Sequence, residues 1–440
     1  MKHHGSLRPT WVLIGLLPLA CGSARPSTDA APAEYYDPRT VHYHDEVFDP
    51  LVRAVQCYKA GFELAAPLIE LGTDEAVELR FDDLRTTTLD LSYTIEHCNA
   101  DWTPSDLAKG QYIEGAFQDM VRTPRMSFNT LQPFFHYSVQ VPNPMMRPTR
   151  SGNYILKVFH SDDEADVVLT RRFLVMEKAV AIDARVMASR DVRVRDIAQQ
   201  VDLTVRTNDL TVIDPFGDIK VAVLQNMNWT DVRTGLKPRF IRNNELIYDH
   251  PPEAQFMGGN EFRNFEIKDL RFPSLRVAAI RTGPELMEAV LADDPARHIR
   301  VYLEQPDING RFLVRNDDVD GDPTGADHVN VVFSLPMEAP LEGGDVYVVG
   351  GFCDFECRKE YRMQYVPERK RYMLVAPLKQ GFYDYLFAWL PQGAALPDLT
   401  RLEGSHFETE NDYLVLVYLR DHQQRCDRLV GARFVNSRRG

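Results

Sequence analysis

The chain has 440 residues, 50 Lys and Arg against 64 Asp and Glu, and a formal charge of −14. That length supports several domains with real cores. The acidic balance leaves no basic stripe to neutralise phosphates, which argues against a nucleic-acid partner and against direct adsorption to anionic lipid.

The first segment reads as a secretory signal peptide over residues 1–21. Lys2 and Arg8 form a positive n-region, and Trp11 to Leu19 (WVLIGLLPL) forms an apolar h-region too short to span a bilayer. Its end, Leu17-Pro18-Leu19-Ala20-Cys21, resembles a bacterial lipobox. In a lipobox the cysteine is lipidated, so Cys21 is the expected site of a membrane anchor. Ordinary cleavage with an incidental Cys21 is the alternative. Residues 22–45, rich in Ser, Ala, Pro and Asp, lack the periodicity of a packed element and are expected to be a flexible tether.

From residue 46 onward period-2 alternation dominates, and the expected class is all-β, as tandem immunoglobulin-like β-sandwiches. An N-terminal sandwich is predicted over 46–178, with strands at Val77–Phe81, Leu89–Ile95, Tyr137–Val141, Tyr154–Phe159 and Leu169–Met176. A middle β domain is predicted over 179–300, with strands at Val201–Val205, Ile219–Leu224, Leu246–Tyr248 and Phe262–Ile267, and one short helix at Glu285–Ala292. A C-terminal sandwich is predicted over 301–440, with strands at Val329–Leu335, Val346–Val349, Tyr372–Ala376, Tyr383–Trp389 and Tyr413–Leu419. No strand–helix–strand repeat calls for a parallel α/β sheet.

Chemistry-bearing residues are sparse. His97, Cys98 and Asp101 invite a Cys/His nucleophile, but adjacent strand residues face opposite sides of a sheet, so a buried Cys with a surface His is expected. Asp318, Asp320 and Asp322 have the alternate spacing of a calcium loop, yet lack a Glu at position 12 and flanking helices; a solvated acidic loop is the simpler reading. His42 and His44 form a pair without a third ligand. Gly258-Gly259-Asn260 reads as turn geometry, and Asp82-Asp83 as an ordinary pair in an acidic chain. No Walker loop, G-x-S-x-G elbow or H-E-x-x-H is present. The expectation is therefore no enzyme, no cofactor and no metal. Of six cysteines, Cys353, Cys357 and Cys426 are candidates for a disulfide in an oxidising compartment, with the pairing open.

Two resemblances add to this. Val346–Phe352, Tyr365, Tyr372 and Leu378–Tyr385 resemble the early-set sandwiches of starch- and glycogen-binding enzymes, which implies an early-set-like C-terminal sandwich and a carbohydrate-binding alternative using Phe352, Phe355 or Trp389. The Trp usual after that Gly-Phe is missing, and Cys353 to Cys357 stand there. Over roughly 47–438 the chain resembles the plug protein of the bacterial type IX secretion system. The segments that carry it include Tyr58–Leu64, His97–Leu107, Ser127-Phe-Asn129, Ser151-Gly-Asn-Tyr154, Gly258–Arg263, Leu378-Lys-Gln-Gly381 and Thr409–Tyr413. The resemblance implies a periplasmic protein that binds a large outer-membrane translocon β-barrel and occludes its idle channel. With Cys21 lipidated, it would sit at the inner leaflet of the outer membrane. Asp101, Trp102, Pro104, Ser105 and Asp106 are the most distinctive run, expected as a structured turn or an interface.

Overall fold

Three sandwiches are built from alternating strands, and each buries the face on which its apolar residues fall. A computed structural model describes residues 43–438, apart from residues 162, 208, 209 and 320. The signal peptide, Cys21, His42, Asp320 and most of the expected tether lie outside the described residues.

In the N-terminal sandwich one sheet runs Glu46–Val47, Val167–Met176, Gly152–His160, Leu91–Cys98 and Asp119–Met120. The facing sheet runs Val52–Lys59, Val77–Asp83, Phe135–Val141 and Arg125–Met126. Leu79, Phe81, Tyr93, Ile95, Tyr154 and Leu156 point inward and are buried. Phe81 and Tyr137 stack with ring centroids 5.1 Å apart. The odd-numbered residues of Leu91–Cys98 face this core; Cys98 points the other way.

The second sandwich is assembled from distant parts of the chain. Ala181–Ala188, Ala198–Arg206, Glu245–Tyr248 and Phe240–Arg242 form one sheet. The opposing sheet joins Ile219–Gln225 to Asp412–Asp421 and Cys426–Asn436. The Tyr413–Leu419 strand expected in the C-terminal sandwich instead completes the middle one, together with Cys426–Asn436, and the consecutive blocks 179–300 and 301–440 do not follow the sheets. The reason is apolar on both faces of Ile219–Gln225: Ile219, Val221 and Val223 fill the middle core, while Ala222 and Leu224 face away from it. That outer face, with Leu414, Leu416 and Tyr418, packs on Leu68, Ile155 and Leu174 of the N-terminal sandwich. A strand buried on both faces needs a central place between layers.

The third sandwich pairs a sheet of Arg263–Glu266, Gly381–Pro391, Phe312–Val314 and Gly344–Val349 with one of Val277–Thr282, Met287–Leu291, His328–Pro336, Arg371–Lys379 and Gln364–Val366. The helix expected over Glu285–Ala292 is a strand, Met287–Leu291, lying parallel to His328–Pro336. Its residues are good helix formers, but Ala289 and Leu291 are buried among Phe265, Val331 and Phe333, and tertiary burial overrides propensity. Among the described residues no helix is long and apolar enough to cross a membrane.

Candidate functional site

The turn after Leu91–Cys98 is where the distinctive residues gather. Trp102 has a φ of 65°, and its N–H donates to Asn99 O (3.0 Å). Asp101 Oδ1 accepts from Thr103 N (3.1 Å) and Thr103 Oγ1 (2.6 Å), and Ser105 N donates to His97 O (3.0 Å). So fixed, Trp102 is only 8% exposed and meets Trp229 of the middle sandwich edge-on at 5.0 Å. The Arg172 guanidinium lies over both rings, at 4.9 and 5.3 Å. Beside it, Ala100 N donates to Asp427 Oδ2 (3.0 Å), and Asn153 links Asn99 O (2.9 Å) to Tyr418 OH (2.8 Å). Gly152 has a φ of 150°, and a Cβ there would lie 2.3 Å from His97 Nε2. His97 is buried, with Nε2 3.1 Å from Ser151 O, so the expected surface histidine is corrected. Burial lowers its pKa, and Cys98 is held on the opposite face, so the two form no catalytic pair.

A second junction joins the first and third sandwiches. Asp82 accepts hydrogen bonds from His136 Nδ1 (2.8 Å), His328 Nε2 (3.0 Å) and Lys379 Nζ (2.6 Å). All four side chains are buried, and Lys379 Nζ lies 4.2 Å over the Phe134 ring. Burial alone raises the Asp82 pKa. The Lys379 charge and the two histidine hydrogen bonds outweigh it and hold the carboxyl well below the usual range. Next to Lys379, Gln380 Oε1 accepts from Asp327 N (2.8 Å), and a Cβ on Gly381 would lie 2.0 Å from Leu313 O. In the third sandwich Arg263 is 1% exposed and its Nε donates to Glu403 (2.9 Å). Asn411 reaches Gln199 (3.0 Å) and Gly258 O (2.8 Å). A Cβ on Gly258 would lie 2.0 Å from His406 O, so this glycine marks a close approach of backbones.

A family model described as the type 9 secretion system plug protein 1st domain matches residues 52–177. Residues 52–177 thus carry the first domain of the type IX secretion system plug protein family. A crystal structure of a hypothetical protein from Parabacteroides merdae, 30% identical, superposes with a TM-score of 0.86 over 90% of this chain and all of that one. No curated protein matches. Membership associates the protein with the type IX secretion machinery of the cell envelope.

Most motif residues of this plug-family chain are thus consumed in stitching sandwiches together. Phe128, in Ser127-Phe-Asn129, is different. Its backbone is braced: Phe128 N donates to Thr324 O (3.0 Å), Ser127 Oγ accepts from Phe134 N (3.0 Å), and Asp327 accepts from Leu131 N (2.5 Å) and Gln132 N (3.1 Å). Its side chain is 75% exposed, with Met126 and Leu131 at 60%. A held loop with apolar side chains in water is a candidate interaction surface. The sequence signal was an apolar motif residue outside any alternating strand.

The remaining expected sites disperse. Asp318 pairs with Arg271 (2.8 Å), and Asp322 pairs with Arg125 (2.7 Å) and accepts from Thr324 N (3.0 Å), so these carboxylates do not converge. Cys353, Cys357 and Cys426 are free, as are Cys57 and Cys98, which corrects the disulfide expectation. Cys426 packs in the N-terminal core, whereas Cys353 is in the third sandwich bonded to Gly350. Burial pushes the Cys353 and Cys57 thiols up to about 12, so neither is a reactive thiolate. Phe355 is 7% exposed, Phe352 packs on Tyr361 and Tyr383, and Arg401 covers the Trp389 ring at 3.8 Å. These rings offer no sugar platform. A cavity of about 290 Å³ lies where the three sandwiches meet, but its Arg172 and Arg311 are already engaged by Tyr43 O and Asp412.

Proposed function

We propose that this protein is a non-enzymatic plug that binds the periplasmic mouth of the type IX outer-membrane translocon barrel and occludes the idle channel. The observation that carries the reading is the braced, outward-facing Phe128 and Leu131 in the family-matched domain. A plug must keep its shape while presenting a docking surface, and three sandwiches joined by buried polar contacts resist relative motion. The N-terminal cysteine, Cys21, would be lipidated and hold the protein at the inner leaflet of the outer membrane. Asp101, Pro104, Ser105 and Asp106 act as the turn that sets Trp102 and take no part in docking.

Affinity purification from solubilised outer membranes tests the reading. Wild-type protein should bring down a large β-barrel, and Phe128→Asp with Leu131→Asp should lose it at unchanged thermal stability. Recovery of no barrel by the wild type would overturn the plug reading. Metabolic labelling with an acyl analogue should tag the wild type and spare Cys21→Ser.

A further inference from the structure

The outer face of the middle sandwich carries a side-chain cluster that docking to a barrel does not use. Along Ala198–Arg206, Val201, Leu203 and Val205 point into the core, so Asp202 points out. Leu203 pairs with Tyr248, and the chain leaving that strand passes Asp202 as Asp249-His250.

Asp202 is nevertheless only 4% exposed. Its Oδ1 accepts from His250 N (2.9 Å), but its Oδ2 has no hydrogen-bond partner. Neither ring nitrogen of His250 has one either, although Nδ1 lies 3.2 Å from Asp202 Oδ1 and Nε2 3.3 Å from Asp249 Oδ1. One ligand atom from each of Asp202, Asp249 and His250 lies within 4.8 Å of the others, and this is the one such group among the described residues. A buried polar atom without a hydrogen bond costs about 1–3 kcal/mol, and three such atoms at one spot, held only by ion-pair contacts of 3.2–3.7 Å, leave room for a better partner.

We propose that Asp202, Asp249 and His250 bind a divalent cation of borderline hardness, of which zinc is the type. One imidazole with two carboxylates suits such an ion better than calcium or magnesium, which take all-oxygen shells. A tetrahedral shell with bonds of about 2.0–2.1 Å sets ligand atoms roughly 3.3 Å apart. Closing from the observed separation requires a shift of no more than about 1.5 Å, within reach of the half-buried Asp249 on its turn. Water would complete the shell. Arg239 (3.2 Å) and Arg190 (3.8 Å) face Asp249, and Arg185 (3.7 Å) faces Asp202. All three guanidinium side chains are more than half exposed, so they can swing into water when the cation enters. The bound ion would pin the turn after Glu245–Tyr248 to the neighbouring strand.

Zinc alone is the probe. The purified full chain is stripped with a chelator, titrated with Zn²⁺ against a competing fluorescent chelator, and assayed for bound metal. About one zinc per chain should depend on the three residues. Asp249→Asn and His250→Ala should each weaken it by more than the roughly 10–100-fold that loss of an outer-shell partner costs. Arg239→Gln removes a competing cation and should tighten binding. His422→Ala, which alters an exposed histidine elsewhere, should change nothing. Circular dichroism checks that each variant is folded, and the opposite signs at Asp249 and Arg239 decide the matter even if His250→Ala is unstable. Absence of zinc uptake, binding unchanged in Asp249→Asn, or calcium binding tighter than zinc would each overturn the proposal.

Discussion

Removing the ammonium at the junction of the first and third sandwiches gives the sharpest test of how this fold is held. In Lys379→Met the side chain keeps its length, but Asp82 loses the cation 2.6 Å from its Oδ2. The carboxylate is then buried with two histidines as its only partners. Breaking a buried ion pair by deleting one member costs about 3–5 kcal/mol, because an uncompensated charge remains in low dielectric. For a module of this size that corresponds to a drop in melting temperature on the order of 10 °C. Replacing both members, Asp82→Asn with Lys379→Met, leaves no buried charge and should recover much of the loss. The pH dependence has a definite sign. The Asp82 pKa is depressed in the folded state, so its contribution is present above the unfolded value of about 3.9 and disappears as pH falls below it. Lys379→Met should therefore be least harmful at acid pH, where the stranded carboxyl can be neutralised. Differential scanning calorimetry of the wild type, the single variant and the double variant at pH 7.5 and pH 4 measures all of this. A single-variant loss under about 1 kcal/mol, or a double variant no better than the single, would refute the reasoning.

Trp102→Ala should cost about 3–5 kcal/mol, read by denaturant titration, since it opens a cavity between Trp229 and Arg172 in the first-to-middle interface. Gly152→Ala should be at least as harmful as an ordinary core change, because its Cβ would collide with the buried His97; replacing His97 with Ala in the same chain should relieve part of the loss. Asp384 is buried, and its pKa is pushed up to about 8, first by burial and then by the Asp307 charge, against a smaller opposing pull from Arg311. A raised acid favours the folded state below the unfolded value of about 3.9 and loses that contribution as pH rises to about 8. Asp384→Asn should therefore flatten the decline of stability across that window, measured by melting temperature against pH. Mass spectrometry after denaturing alkylation without reductant should find Cys57, Cys98, Cys353, Cys357 and Cys426 all alkylated; a bridge among them would contradict the packing.

Period-2 alternation revealed the class of fold because half-buried strands must alternate, and Val77–Phe81 does so plainly, whereas Tyr154–Phe159 is buried on both faces. The same pattern could not reveal that Asp412–Asn436 returns to the middle sandwich. Strand partners are set by three-dimensional burial, and Ile219–Gln225, apolar on both faces, needed a second layer that only a distant hairpin supplies. Glu285–Ala292 misled for the opposite reason, since helix-forming residues were drafted into a parallel strand by the core around Phe333. At the candidate site, the motif residues were visible but their work was not. Asn153 and Lys379 serve contacts hundreds of residues away, as Ala100 does with Asp427, and Trp102 and Gly152 pack on Trp229 and His97 from other elements. Cysteine spacing suggested a bridge between Cys353 and its neighbours, whereas topology places Cys426 in another sandwich's core.

Site-specific photo-crosslinking tests the central claim most directly. A photoreactive residue at position 128, activated in intact cells, should join the protein to the type IX outer-membrane barrel. The same residue at Val192, which is exposed on the middle sandwich, should not. Capture of the barrel from position 128 alone is the predicted result; no barrel adduct from position 128, or equal adducts from both positions, would contradict it.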